Sequence, residues 1–393
     1  MNILLSAYAC FDNFGSEPGV GYRWLNRLLL DNHQITLVTS GWSYDRLVLQ
    51  CSPLLNYSNL ELIVIGAEKT DCHFRKFRPL YQVYLIYWQF LLRKKIKSNN
   101  IIYDVVHHIT YGGVSIPSFI AKFGKNSIYG PVGGGENAPI SLAKLCGFKS
   151  FVKEVLKKAS VLVLKVDPFI LYTKHTYKKI LLKNKSNLDF YKDVNDRCLV
   201  KSEIAVPIGF EAKEVCASSS NVKRIIFSGR GVYWKGGVIA IKVIRYIREV
   251  IGRDDFVLEF YGSGKEFDKW KRISKNLKYI TFNGRMKQSE YLERINSADC
   301  LVFPSYHDSS GNVILESFCR GMPVVAFNLG GPSSIICHKQ FLVEPNINPD
   351  EIIRKFSEKV INAVELSDIK KHELSKFYIE KYAEDNLLKG AYL

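Results

Sequence analysis

No Cys-x-x-Cys pair occurs among the nine cysteines of the 393-residue sequence, which are odd in number and widely scattered. That spacing argues against a disulfide framework and a thiolate metal site, and reduced thiols are expected. The opening Met1-Asn2-Ile3-Leu4-Leu5-Ser6 has no basic region, and polar residues follow within the first 20 positions. A signal peptide is therefore not expected, and a cytoplasmic chain is. Disorder is excluded by composition, with 47% hydrophobic and 24% charged residues and a mean hydropathy near zero. The length suggests two domains, each large enough to bury a core.

Acid is missing altogether from Phe74 to Lys97, which holds seven Lys/Arg, and is scarce from Ile140 to Lys201, where fourteen Lys/Arg meet five acids. These stretches account for nearly all of the net charge of +17, so the first half of the chain should meet something anionic. Between Arg75-Lys76-Arg78 and Arg93-Lys94-Lys95-Lys97 runs Leu80–Leu92, rich in Tyr, Leu, Ile, Trp and Phe and interrupted only by Gln82 and Gln89. It is too short for the roughly 20 residues of a membrane-spanning helix. Its cationic flanks and Trp88 predict a helix lying on an anionic membrane surface, against the plainer reading of a core helix with solvated ends. No helix-turn-helix, zinc-finger or aromatic RNA-binding signature accompanies the charge, so nucleic acid is not expected.

Short apolar runs alternate with helical patterns: Ile3–Ala7, a helix from Pro18, Gln34–Thr39, Leu60–Ile65 and Val105–His108. The pattern restarts with Arg224–Ser228, a helix from Gly236, Val257–Tyr261, Ile280–Asn283, Cys300–Phe303 and Val324–Phe327. Strand and helix in alternation predict an α/β chain of two doubly wound, Rossmann-like domains, 1–210 and 211–375, with a linker between Pro207 and Val222. A charged helical tail, 376–393, has the N-terminal domain as one candidate docking site. Such sheets bind ligands beyond the carboxyl ends of their strands, so residues just after strands carry the functional interest.

After the first strand, Phe14-Gly15-Ser16-Glu17-Pro18-Gly19-Val20-Gly21 reads as a tight turn into a helix whose exposed N–H groups suit phosphate, although such a turn is often only a turn. Gly130-Pro131-Val132-Gly133-Gly134-Gly135-Glu136-Asn137 suggests backbone crowding against a neighbour, with a surface hairpin as the alternative. Before it, a strand ends in His107 and His108. Adjacent strand residues face opposite ways, so at most one of the two would reach substrate, and a structural histidine is the default for either. In the second half, Arg230 and Lys235 stand five apart on the Gly-rich loop 229–237, where a cation pair can clamp a diphosphate and neutralise the charge of its departure. Two surface cations are the plainer reading. In 304–325 a strand ends at Pro304 and Gly311-Asn312 opens a helix whose amides suit phosphate. Glu316, one turn in, can accept from paired sugar hydroxyls or be an ordinary surface acid.

Together these segments resemble the retaining glycosyltransferases of family 4, which have the GT-B fold: two facing Rossmann-like domains, the first binding acceptor and the second a sugar nucleotide. Gly229-Arg230 with Lys235-Gly236, Tyr261-Gly262-Ser263-Gly264, Asn283-Gly284-Arg285 and Asp308 with Glu316 stand in family order. The Gly-Ser-Glu-Pro-Gly-Val-Gly and Gly-Pro-Val-Gly-Gly-Gly-Glu segments resemble a branch that builds bacterial surface polysaccharides. The resemblance implies that Arg230 and Lys235 hold the donor diphosphate, that Glu316 holds the ribose, and that Gly262, Asn283 and Arg285 line the nucleotide. It implies further that Gly311, Asn312, Val313 and Ile314 offer amides to the phosphate and that Gly15 and Ser16 reach it from the first domain. Arg230, Lys235, His108 and Asp308 become the catalytic candidates. Glu17, His107, His108, Gly133, Gly134, Gly135 and Glu136 become the acceptor side. The family pattern is Glu, seven residues, Glu, whereas position 308 is Asp, one methylene shorter, which leaves the sugar contact and donor identity open.

No Asp-x-Asp occurs in the sequence, so no metal and no cofactor is expected, only a UDP- or GDP-sugar as substrate. The expected activity is transfer of a sugar, with retention, to a lipid-linked glycan acceptor of O-antigen, capsule or lipopolysaccharide synthesis, by a protein peripheral to the inner face of the cytoplasmic membrane. A nucleotide-sugar epimerase of the same fold and a non-catalytic basic binding protein are the alternatives.

Overall fold

The computed structural model describes residues 1–12, 17–75, 78–206 and 221–392. The chain forms two compact units, one of Met1–Gly135, Ser160–Ile208 and Ala383–Leu393, the other of Glu136–Ala159 and Gly209–Tyr382. The linker expected between Pro207 and Val222 lies, for residues 207–220, outside the described residues.

The first unit is built on strands β1 (Asn2–Ser6), β2 (Gln34–Ser40), β3 (Leu60–Ile65), β4 (Tyr103–His108), β5 (Gly124–Val132), β6 (Lys179–Leu182) and β7 (Cys198–Val200). They pair in parallel in the order β3-β2-β1-β4-β5-β6-β7. Alternation along the strands feeds two cores. Ile3, Leu5, Ile35, Leu37, Val105 and Ile128 face one side, and Leu4, Val38, Ile63, Val106, Tyr129 and Ile180 the other. The helix Glu17–Leu30 turns Val20, Trp24, Leu25, Leu28 and Leu29 into the first core at helical spacing. The helix Arg78–Asn99 buries Leu85, Trp88, Leu92 and Ile96 in the second. It also exposes Leu80, Val83, Tyr87 and Phe90, so it is a core helix along one face and apolar to solvent along another.

The second unit repeats the plan with β8 (Lys223–Ser228), β9 (Phe256–Tyr261), β10 (Ile280–Gly284), β11 (Cys300–Phe303), β12 (Val324–Phe327) and β13 (Leu342–Val343), all parallel in the order β10-β9-β8-β11-β12-β13. The expected α/β class with two Rossmann-like domains is observed. β5, β6, β7 and β13 are strands beyond those read from sequence, and Gly130-Pro131-Val132, read as loop, is the end of β5.

The domain limits differ from expectation in two places. Residues 136–159, assigned by sequence to the first domain, belong to the second unit, where Lys269 Nζ donates to the Cys146 carbonyl at 2.6 Å. The tail divides: the helix Asp368–Lys381 stays in the second unit, with Tyr378 stacked on Phe318 at 4.2 Å, whereas residues 383–393 join the first. There Ala383 bridges to Val206, Lys201 Nζ donates to the carbonyls of Asn386 and Lys389 at 2.9 and 2.8 Å, and Leu387 and Ala391 enter the core of Ile3 and Leu5.

Candidate active site

In the second unit the strand order reverses between β8 and β11, and loops from the carboxyl ends of these neighbours meet there, as the ligand rule for open α/β sheets requires. Their approach is close. Gly236 has φ +73°, and a Cβ on it would lie 2.2 Å from the carbonyl oxygen of Pro304, so only glycine fits between the loops. The Tyr306 N–H then donates to the Trp234 carbonyl at 3.0 Å. Gly262, φ +130°, seats the loop after β9 against the Gly229 carbonyl in the same manner, its Cβ position 2.0 Å from that oxygen.

This backbone contact brings Lys235 to Asp308. Lys235 Nζ donates to Asp308 Oδ2 and stands 4.8 Å over the Phe303 ring, both charged side chains being 14% exposed. Asp308 Oδ1 accepts from the Gly311 N–H at 3.0 Å, and the Asp308 carbonyl accepts from Gly331 N–H at 2.6 Å. One carboxylate thus orients the lysine and the start of the helix Asn312–Phe318 together. On that helix Ile314 is fully buried core, while Asn312, Val313 and Glu316 are half-buried. Arg320, not singled out by sequence, follows one turn later, its Nη1 donating to the Glu316 carbonyl at 3.4 Å. Burial lowers its pKa, and the Glu316 charge opposes that effect. Arg230, Asn283 and Arg285 are exposed, and the N–H of Gly262 ties the loop after β9 to the Gly284 carbonyl at 2.7 Å.

Sequence reasoning also missed the support behind Asp308. His307 Nε2 lies 2.8 Å from both oxygens of Glu154, which is fully buried, and Lys157 Nζ donates to His307 Nδ1 at 2.7 Å. A ring accepting at Nδ1 carries its proton at Nε2 and donates it to Glu154. Burial lowers the His307 pKa more than Glu154 raises it. Burial alone would raise the Glu154 pKa, but His307 and Lys157 hold it below the ordinary carboxylate value. Glu136, expected on the acceptor side, belongs to this unit, with its Cγ 3.5 Å from the Cβ position of Gly330.

In the first unit the order reverses between β1 and β4, and His108 Nδ1 spans that point to Ser6 Oγ at 2.9 Å. The expectation that His107 or His108 contacts substrate is corrected. Both are fully buried, and His107 donates from Nε2 to the Gly130 carbonyl at 2.6 Å while Nδ1 accepts from the Tyr392 hydroxyl at 2.5 Å. Burial pushes their pKa values down to about 4 and about 3, so both are neutral core residues. Glu17 is held in an ion pair, its Oε1 2.8 Å from Lys183 Nζ, which also meets Glu203 at 2.8 Å. Glu17 Oε2 accepts from the N–H of Tyr111, a residue at φ +56° that sequence did not mark and whose ring packs on Tyr8 at 5.2 Å. The crowding inferred for Gly133, Gly134 and Gly135 is internal. Gly133 bridges to Gly113, a Cβ on Gly134 would touch Val114 at 3.6 Å, and the Gly135 N–H donates to Asn187 Oδ1 at 2.9 Å. Gly15 and Ser16 lie outside the described residues.

Residues 210–375, which carry the Lys235 and Asp308 loops, match the family model described as glycosyl transferases group 1. An uncharacterized glycosyltransferase of Methanocaldococcus jannaschii is 25% identical over 314 residues, 75% of this chain and 84% of that protein. Among solved structures, WaaG, a glycosyltransferase involved in lipopolysaccharide biosynthesis, is similar with a TM-score of 0.58 at 13% identity, over 99% of this chain and 98% of its own. Anabaena HepE in complex with UDP gives 0.57 at 13% identity, over 98% and 97%. With the group 1 match and two parallel sheets, these likenesses identify the fold as GT-B.

Proposed function

We propose that the chain is a retaining, metal-independent hexosyltransferase that moves one sugar from a UDP- or GDP-sugar to a lipid-linked glycan acceptor of surface polysaccharide synthesis, on the inner face of the cytoplasmic membrane. The observation that carries this reading is the Lys235–Asp308 pair at the strand-order reversal of the group 1 domain. An ammonium has three donors, so Lys235 can keep Asp308 and still donate to a diphosphate, with Arg230 as a second, exposed cation. Glu316 accepts from the ribose hydroxyls. The bond from the anomeric carbon to the β-phosphate oxygen breaks with its electron pair leaving on the diphosphate. The acceptor oxygen bonds to the same face of the sugar, and its proton passes to the departing phosphate oxygen. Cations and amides of the chain do the work of charge neutralisation. The UDP held by HepE and the lipopolysaccharide role of WaaG support the donor and acceptor classes. The basic flank of the helix Arg78–Asn99, Arg93 to Lys97, supports the anionic membrane as partner.

The test is a thermal-shift screen of UDP- and GDP-sugars, followed by release of nucleoside diphosphate with and without a lipid-linked acceptor. Acceptor-dependent release is expected. Donor conversion with no acceptor, or no stabilisation by any nucleotide, would overturn the proposal.

Calorimetric titration separates the two carboxylates. Losing hydrogen bonds to a charged group costs about 1.5–3 kcal/mol, so Glu316→Ala should weaken both sugar nucleotide and bare nucleoside diphosphate about 10- to 100-fold. The family resemblance alone places Asp308 at the sugar, so that Asp308→Ala would weaken only the sugar-bearing ligand. Because Asp308 also orients Lys235 and the Gly311 amide, Asp308→Ala should weaken the bare nucleotide as well. Unchanged nucleotide binding by Asp308→Ala would show that Lys235 needs no such orientation.

A further inference from the structure

Glu154 is fully buried, and the transfer steps proposed above do not use it. Taking a carboxylate out of water is costly unless hydrogen bonds and opposite charge replace its hydration. The side chain comes from the helix Phe148–Leu164, in the segment 136–159 that joins the second unit although it lies outside residues 210–375. Two loops of that unit supply its partners. From the loop after β11 comes His307, whose Nε2 donates to the carboxylate at 2.8 Å and whose backbone leads directly into Asp308. From the loop after β8 comes Tyr233, in one short turn with Lys235, and its hydroxyl donates to the same carboxylate. Burial, and after it the Glu154 charge, push that phenol's pKa up to about 12, so it stays a donor. The neighbouring residue of the helix reinforces the seat, with Lys153 Nζ 5.3 Å over the Tyr233 ring.

The two loops are therefore tied together twice. One tie is their own, the Tyr306 N–H on the Trp234 carbonyl at 3.0 Å and the Lys235–Asp308 pair. The other is Glu154, which reaches both loops from outside them and fixes the residues on which the pair is mounted. A carboxylate suits this place because its two oxygens only accept, and donors converge on it from both loops. Lys157 removes the ring's freedom to respond in any other way. Its ammonium donates to His307 Nδ1 at 2.7 Å, so the ring proton stays at Nε2, facing Glu154. An amide in place of the carboxylate would turn an N–H group toward one of these donors. His307 cannot change tautomer to accept from it without meeting Lys157 donor against donor.

We infer that Glu154 is a positioning residue: through His307 and Tyr233 it holds Lys235 on Asp308, the arrangement that meets the diphosphate. The inference rests on the glycosyl-transfer reading for what the pair does, and on the geometry alone for how the pair is held. Two measurements on the full chain separate these. Acetylation of Lys235 by limiting acetic anhydride, read by mass spectrometry of its peptide, reports how often the amine leaves Asp308 and needs no substrate. Release of nucleoside diphosphate from UDP- and GDP-sugars with a lipid-linked acceptor gives kcat/KM. Glu154→Gln should raise acetylation of Lys235 severalfold and lower kcat/KM about tenfold, as misplacement of a reacting group does. Tyr233→Phe, which removes one hydroxyl and leaves the ring, should move both in the same direction by less, and it decides the matter if Glu154→Gln does not fold. In a Lys235→Ala background Glu154→Gln should cost less than about twofold more, because residues that act through one group are not additive. A carboxylate that only supports folding would lower the melting temperature and cost as much in that background as in the unaltered chain, which would overturn the inference. Unchanged acetylation in a folded variant would overturn it too, as would raised acetylation with unchanged kcat/KM. If acetylation rises but the unaltered chain releases no nucleoside diphosphate, the glycosyl-transfer reading falls and the positioning of Lys235 stands.

Discussion

Lys235→Ala should lower turnover of the nucleotide sugar about a hundredfold, which corresponds to roughly 3 kcal/mol of lost stabilisation where charge develops on the departing diphosphate. The side chain is already oriented, by Asp308 and by the Phe303 ring, so no reorganisation is needed when that charge appears. The same geometry predicts little change in folding. Asp308 keeps the Gly311 amide as a partner after the lysine is removed, and its carboxylate retains some access to water. Steady-state kinetics with a melting curve for Lys235→Ala and Lys235→Arg provide the check. The arginine variant keeps the charge but not the compact ammonium, so partial recovery of turnover is expected. A folded Lys235→Ala protein that turns over donor at near the original rate would remove Lys235 from the mechanism.

Acid should destabilise the first unit as pH falls from about 6.5 toward 4. His107 and His108 are buried as neutral rings, with pKa values pushed down to about 4 and about 3 by desolvation, against about 6.5 in an unfolded chain. Below about pH 6.5 the unfolded chain therefore binds protons that the folded chain refuses. Stability is fully present above that pH and is lost as pH falls toward the folded values. At about 1.4 kcal/mol per unit, His107 alone accounts for about 3 kcal/mol by pH 4, and His108 acts in the same direction. Set against a typical total of about 5–15 kcal/mol, that is a substantial fraction. In the second unit the lowered His307 and Glu154 pKa values have the same sign. Urea unfolding at neutral pH and near pH 5 should show the fall, and His107→Gln, which can still donate to the Gly130 carbonyl, should make it shallower. Stability that does not change between those two conditions would contradict neutral burial of the pair.

The strands legible in the sequence are those whose aliphatic runs are buried on both faces of a parallel sheet, such as Ile35–Val38 in β2 and Cys300–Phe303 in β11. β5 was hidden because Lys125, Asn126 and Ser127 break its first half and Gly130-Pro131 its second, and β13 because it has two residues. Residue types at the site were legible for a similar reason: glycine where backbones touch and charge where a phosphate would sit are local signals. Pairings across the chain were not. Lys235 and Asp308 are 73 positions apart, and Glu154 and His307 are 153 apart. Each contact depends on how one loop seats against another, and no local pattern encodes that. The two histidines misled because a polar residue at the end of a strand has the same local signature whether it faces a ligand or a neighbouring carbonyl.

The division of the chain between its units fixes an order of completion during synthesis. A ribosome releases the N-terminal strands first, at about 5–20 residues per second. Yet the core begun by Ile3 and Leu5 is closed by Leu387 and Ala391, and the buried ring of His107 meets its hydroxyl partner only when Tyr392 has emerged. The second unit needs residues 136–159, which are already made by the time its own strands appear, and nothing after Tyr382. For tens of seconds the nascent chain holds two histidines without their final enclosure, and the later unit receives its last residue, Tyr382, about 0.5–2 s before Tyr392 emerges. The unit that is started first is finished last.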